Sequence, residues 1–334
     1  MSLPWVSTSS HNDGLAEIYA PVRSELEQVE NLLRSYLVNG LPFARRLMEH
    51  GLQLGGKRLR PAVVLLAGQA CGRLRPEHFL MGAVIELIHT ATLVHDDVLD
   101  EAKHRRHLQT INTRWDTETS ILLGDYLFTI AIELTARLGD GFISNRVSQA
   151  GRRLCEGELR QVCERGNFDL TEEDYLEIIE AKTAELYACS AEIGAYLAEA
   201  AEDIRHALGR FGRKIGIAFQ IIDDVLDIAG DERVAGKSLG TDYLKQKATL
   251  PVIRLLQVAS PETRPALLTW LRSPSVDNIA RLQDELERSQ SLVYAREKAR
   301  QFVQSAMEDL RVLPPSPARE ALCALARFVV ARDR

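Results

Sequence analysis

Apolar side chains recur along most of the chain at spacings of three and four. Leu15, Ile18, Val22, Leu26, Val29, Leu32, Leu33, Tyr36 and Leu37 carry this period through residues 15–50, with charges between them, as in an amphipathic helix. Gly55-Gly56-Lys57-Arg58-Leu59-Arg60-Pro61 interrupts it with two glycines, a basic cluster and a proline suited to a helix start. Apolar helices are predicted next over 61–72, 79–100 and 120–138. Thr171 and Asp174 have capping-box spacing for a long helix through Lys182 and Thr183 to Leu197. Residues 205–231 predict another helix, and Ser260-Pro261 and Ser316-Pro317 look like cap-and-first-turn pairs for two later ones. Ala295, Ala299, Phe302, Val303, Ala306 and Leu310 stripe a helix between those starts. No stretch alternates like a strand, and no low-complexity linker divides the chain. The expectation is a single all-α domain over 15–334, a helical bundle around a deep central cavity, after a flexible segment over 1–14.

Composition narrows the function classes. With 46% apolar and 26% charged residues among 334, the chain can bury a sizeable core. A net charge of −6 argues against a nucleic-acid surface, so any functional cations must be gathered locally. Five cysteines without a CxxC pair suggest free thiols in a reducing, cytoplasmic setting. No apolar run approaches the ~18 residues of a membrane span, and the N-terminus lacks the pattern of a signal peptide.

Candidate chemistry concentrates in Leu87 to Arg106. Asp100, Asp96, Leu93, His89 and Glu86 fall on one helical stripe flanked by Val84, Leu87, Ile88 and Val94. Carboxylates in so apolar a setting need partners, because each unpaired one costs several kcal/mol. Carboxylates at i and i+4 suit a hard divalent cation, and the adjacent Arg105 and Arg106 suit a phosphate carried by it. Asp223, Asp224 and Asp227 repeat the DDxxD spacing of Asp96, Asp97 and Asp100 at the end of a second apolar helix. Two such clusters facing across a bundle would form a pocket for several divalent ions. Basic residues lie near them: Lys57, Arg58 and Arg60 in the Gly-rich break, Lys182 in mid-helix, and Lys237, Lys245 and Lys247 after the second cluster. The break lacks the spacing of a nucleotide phosphate loop and no strand precedes it, so it points to a phosphate-like anion in general.

In order and spacing, GGKRLRP, ELIHTATLVHDDVLD, RRHLQT, GDYLF, GELRQ, RGNFDLTEEDYLEII, AKTAEL, FQIIDDVLD, GKSLGTDYLKQKATLP and LARFVVARDR resemble the trans-isoprenyl diphosphate synthases, specifically the long-chain all-trans polyprenyl diphosphate synthases. The resemblance spans Leu15 to the C-terminus. It implies a homodimer of all-α bundles that condenses isopentenyl diphosphate head-to-tail with an allylic diphosphate. It further implies that Asp96 and Asp100, supported by Asp97, hold Mg²⁺ on one side of the allylic diphosphate, and Asp223, with Asp224 and Asp227, on the other. Lys57, Arg60, His89 and Arg106 match the isopentenyl-diphosphate site; Arg105, Lys182, Lys237 and Lys247 match contacts to the allylic diphosphate. Thr183 and Gln220 match groups lining the reacting carbons. The family's three Mg²⁺ and these seven cations roughly offset six aspartates and two diphosphates (about −6 from the substrates), as a water-poor site requires. The chain departs from the family at His107 and Gln246, both usually glycine, and at Ser238, usually proline.

Short-chain members carry a bulky aromatic four or five residues before the first aspartate, where this chain has Ala91 and Thr92. An open tunnel there implies a product of C30–C50, with Phe128 or Tyr126 as a deeper floor; the alternative is a C15–C20 synthase. A long product would pass to membrane-associated enzymes. Glu86–His89 and Glu101–His104 also match the Glu-x-x-His of di-iron bundles, but in one continuous stretch rather than on two helices. A non-catalytic subunit of a heteromeric synthase would be expected to have lost aspartates, and a terpene cyclase the second DDxxD and the Lys57–Arg60 cluster; this chain keeps them all.

Overall fold

The computed structural model describes residues 13–38, 42–54, 56–229 and 240–332. In chain order its helices are α1 (Asp13–Ile18), α2 (Arg23–Val38), α3 (Pro42–Leu54), α4 (Leu59–Ala70), α5 (Pro76–Leu99), α6 (Ile111–Arg114), α7 (Thr117–Arg137), α8 (Gly141–Cys163), α9 (Glu172–Ile179), α10 (Glu185–Leu197) and α11 (Glu202–Ala229). After the segment outside the described residues come α12 (Thr241–Leu244), α13 (Leu250–Val258), α14 (Arg264–Arg272), α15 (Val276–Arg288), α16 (Ser291–Asp309) and α17 (Pro317–Ala331). The expected all-α class holds.

Residues 1–12 of the supposed flexible segment lie outside the described residues, whereas Asp13 and Gly14 already begin α1. A two-stranded antiparallel hairpin, β1 (His104–Arg105) with β2 (Leu108–Gln109), corrects the expectation of no strand. It is too short to leave an alternating pattern. Ser260-Pro261 does not open a helix: Ser260 Oγ accepts from the Thr263 amide in a turn, and α14 starts at Arg264. Ser316 and Thr171 do cap their helices, by accepting from the Arg319 and Asp174 amides.

The core is one continuous apolar cluster. At its centre α11 packs against α10 and α16, α10 against α4, and α5 against α7. Glycines set the closest approaches: a Cβ at Gly212 or Gly216 on α11 would strike the backbone of Tyr187 or Ala184. Between α9 and α10 lies one turn of π-helix, Glu180–Ala184, which widens the backbone at Lys182 and Thr183.

By length and composition α5 and α7 could each cross a bilayer, contrary to the expectation from apolar runs. For α5 the fold accounts for this, burying 67% of its most apolar window. On α7 only 39% is buried, and Ile121, Leu122 and Ile132 face outward. All five cysteines are free thiols.

Candidate active site between the two aspartate clusters

The C-terminal turn of α5 carries the first cluster, and the C-terminal end of α11 the second. On α5, Asp96 and Asp100 share a face and are half-buried, whereas Asp97 points a quarter-turn away into the protein. Asp97 accepts from Arg105 Nε at 2.9 Å. Burial raises its carboxyl to about 6 in spite of that partner. Burial also pushes Asp100 up, but Lys247, Lys182 and Arg165 more than reverse this, leaving it below its ordinary value.

The second cluster is less open. Asp223 remains 37% exposed, with Arg332 Nη2 3.1 Å from its Oδ1. Asp224 is buried, accepting from Tyr175 Oη and from Gln220 Nε2, each at 2.7 Å. Burial, with Asp242 nearby, pushes its carboxyl upward against those donors. Asp227 is buried and accepts from Thr241 Oγ1 at 2.9 Å and from the Asp242 amide at 3.0 Å, fastening the chain that returns to the site.

Three cations reach Asp96 and Asp100. Lys247 lies 3.2 Å from both Asp100 and Asp242, joining the first cluster to the loop after the second. Lys182, on the π-turn, pairs with Glu158 of α8 at 2.6 Å, bonds Gln161 at 2.8 Å and feels Asp96. Burial lowers its ammonium, but the carboxylates leave it net raised. Arg165 is 3.6 Å from Asp100, and its Nε and Nη2 are buried without a hydrogen-bond partner. Asp242, Lys247, Lys182, Gln220, Asp224 and Tyr175 border a shared cavity of about 50 Å³.

A second basic group gathers around the glycine break. Gly56 lets the Arg106 guanidinium lie against the backbone, and a Cβ there would displace it. Burial and the adjacent Arg105 lower Arg106 to about 10. Lys57 keeps an open face to solvent, yet the surrounding protein, with Arg332 and Arg106, lowers it to about 8. Arg60 is buried over the Tyr187 ring, and its Nη1 lies 3.0 Å from His89 Nε2. Burial, then Arg60 and Arg106, hold His89 well below its ordinary value, so its neutral ring accepts from Arg60. Arg60 Nε remains a buried donor with no hydrogen-bond partner. Arg58 belongs elsewhere: its backbone turns left-handed (φ 54°), and its guanidinium is buried between Glu30 and Glu86 at 2.7 and 2.6 Å. Glu86 is thereby committed to the core, and Glu101 pairs with Lys245, so neither Glu-x-x-His pair forms a di-iron site.

Thr183 Oγ1 donates to Gln220 Oε1 at 2.7 Å, bringing those two together. Ala91 is fully buried, Thr92 bonds back to the His89 carbonyl, and Phe128 packs on Gly151 of α8. Lys237 and Ser238 lie outside the described residues. Glu158, Gln161, Arg165, Tyr175, Asp242 and Arg332 border the site without having stood out in the sequence, although each lies within a motif quoted above.

Among the described residues no three acidic, histidine or cysteine side chains gather into a ready-made metal cage. Partly exposed carboxylates suit a hard divalent cation that is bound through one or two of them plus substrate phosphates and water. Asp96, Asp100 and Asp223 present such carboxylates, and the unpartnered donors of Arg60 and Arg165 suit phosphate oxygens.

Residues 42–286 match the family model for polyprenyl synthetase. The chain is 34% identical over 317 residues to an all-trans-nonaprenyl-diphosphate synthase of Rhodobacter capsulatus, covering 95% of this chain and 97% of the relative. It is 35% identical to a short chain isoprenyl diphosphate synthase of Methanothermobacter thermautotrophicus, covering 96% and 100%. A polyprenyl synthase of Caulobacter crescentus, solved with calcium and isoprenyl diphosphate, superposes with a TM-score of 0.92 at 31% identity, over 96% of this chain and 98% of that one. An all-α bundle with paired aspartate clusters ringed by cations defines a class of prenyl-transferring enzymes. The chain belongs to the polyprenyl synthetase family.

Proposed function

We propose that this enzyme condenses isopentenyl diphosphate head-to-tail with an allylic diphosphate such as farnesyl or geranylgeranyl diphosphate, yielding an all-trans C30–C50 polyprenyl diphosphate. The carrying observation is that each open carboxylate has its own cation, Lys182 at Asp96, Lys247 at Asp100 and Arg332 at Asp223, and that Arg332 and Asp223 also face Lys57 of the glycine break. Asp96 and Asp100 on one side and Asp223 on the other would hold Mg²⁺, three ions by the family resemblance. These ions supply positive charge to the departing diphosphate when bound. Lys182 and Lys247 neutralise the same oxygens as the allylic C–O bond ionises. Lys57, Arg60, His89 and Arg106 seat the isopentenyl diphosphate, whose double bond then attacks the allylic carbon. The apolar walls of α5 and its neighbours keep water from the cation. No protein side chain stands out as the final base, so the released diphosphate is assigned the proton.

The long product rests on Ala91 and Thr92, which put no aromatic across the way back from Asp96. Incubation of the purified chain with Mg²⁺, isopentenyl diphosphate and either geranyl or farnesyl diphosphate, followed by product sizing, tests both parts. Termination at C15 or C20 from geranyl diphosphate overturns the long-chain reading; absence of any elongated product from either primer overturns the reaction. The outward apolar face of α7 supports a homodimer, which light scattering would measure. A cytoplasmic location fits the free thiols.

A further inference from the structure

The π-turn that carries Lys182 and Thr183 is held from three sides. On α8, Gly157 admits its backbone: a Cβ there would lie 2.5 Å from the Lys182 amide nitrogen and 2.9 Å from Ala181 Cβ. On α11, Gly216 admits Ala184 in the same way. The third hold is polar and runs through four side chains. Tyr175 Oη donates to Asp224 Oδ2, Gln220 Nε2 donates to Asp224 Oδ1, and Thr183 Oγ1 donates to Gln220 Oε1, each at 2.7 Å. The order is directional. With Asp224 ionised, an amide that turns its nitrogen to it must turn its oxygen the other way, so the Thr183 hydroxyl gives to it. Tyr175 and Asp224 are both buried, so their bond is shielded from bulk solvent.

We propose that Tyr175 is a positioning residue for prenyl transfer: through Asp224 it fixes the Gln220 amide, and through Gln220 the Thr183 hydroxyl, beside the reacting carbons. The inference rests on the proposed reaction. Tyr175 touches no substrate in this scheme; it removes the freedom of two groups that do. Without its hydroxyl, Asp224 loses one of two donors and can rotate. Gln220 can then flip, and the Thr183 hydroxyl loses its fixed acceptor.

The test is Tyr175→Phe in the full chain, assayed well below the variant's own Tm. The expected result is a roughly 10- to 100-fold fall in kcat, with KM for each diphosphate within about twofold of wild type. Combining it with Thr183→Val is expected to be less than multiplicative, because only the part of the Tyr175→Phe loss that acts through Gln220 remains once the Thr183 hydroxyl is gone. Asp224→Ala removes both acceptors from the relay, and is expected to lose at least as much as Tyr175→Phe even if Tyr175→Phe fails to fold. Wild-type kcat in either single variant overturns the proposal, as does a loss that multiplies with that of Thr183→Val. A wild-type chain that forms no prenyl product overturns the reaction as well. An active wild type with an indifferent Tyr175→Phe overturns the positioning role alone.

Discussion

The two aspartate clusters have the same spacing and differ in what their carboxylates do. In the first, Asp96 and Asp100 stay partly exposed, and only Asp97 is committed inward, to Arg105. In the second, only Asp223 stays open; Asp224 is committed to Tyr175 and Gln220, and Asp227 to Thr241 and the Asp242 amide. Six like residues thus divide into three that face outward for ligands and three that hold the wall. A repeated motif need not repeat a role, because its role depends on what the fold brings against each position.

The sharpest way to break this comparison is to remove one carboxylate of each kind. Asp96→Asn or Asp223→Asn is expected to lower turnover roughly 10³-fold while Tm moves by no more than about 2 °C. Asp227→Ala is expected instead to lower stability by about 2 kcal/mol, because it leaves the Thr241 hydroxyl and the Asp242 amide without their acceptor. Magnesium titration of turnover together with thermal melts separates the two. Matching behaviour in both assays would make the clusters equivalent.

A second contrast uses alanines that stand five residues before each cluster, Ala91 and Ala218, both fully buried. Ala91→Phe is expected to shorten the product by one or more five-carbon units. Ala218→Phe should leave product length alone and cost about 1–3 kcal/mol of overpacking. Product chromatography and denaturant melts read these outcomes, and unchanged length in Ala91→Phe removes α5 as the tunnel wall.

The cations of the glycine break allow a pH test. Lys57 titrates near 8 in the free enzyme, and a bound diphosphate would raise it. Above pH 8, binding must therefore take up a proton, and isopentenyl-diphosphate affinity falls as pH rises, by at most ~10-fold per unit and less for a group open to solvent. Lys57→Arg stays charged throughout and is expected to flatten that profile in calorimetric titrations. The smallest effect concerns the residues that follow each cluster. His107 and Gln246 have φ of 64° and 54°, in the left-handed region that favours glycine. His107→Gly and Gln246→Gly are each expected to stabilise by about 1 kcal/mol in denaturant melts.

Those two positions show what a sequence reveals and what it withholds. Their departure from glycine was visible, but the positive φ that gives it meaning was not. Helical periodicity disclosed most of the bundle because a core-facing stripe is written into each segment locally. The DDxxD pairs and their nearby lysines disclosed the site's charge pattern for the same reason. The unequal duties of the aspartates were hidden, since Tyr175, Thr241 and Asp242 reach them from other elements. Arg58 reads like Lys57 and Arg60, yet a left-handed backbone turns it inward to Glu30 and Glu86. Arg332 reaches Asp223 across 109 residues of sequence, a distance that no local pattern spans.

Lys247 and Arg332 give the resting enzyme its own counter-ions. With a lysine on Asp100 and an arginine on Asp223, an incoming divalent ion on its own meets carboxylates already matched by ammonium and guanidinium. A diphosphate alone meets those same cations already matched by carboxylates. Together, the two let both sets exchange partners at little electrostatic cost. Magnesium and substrate should therefore strengthen each other's binding by one common factor, and an empty site should hold little metal even where the ion is plentiful.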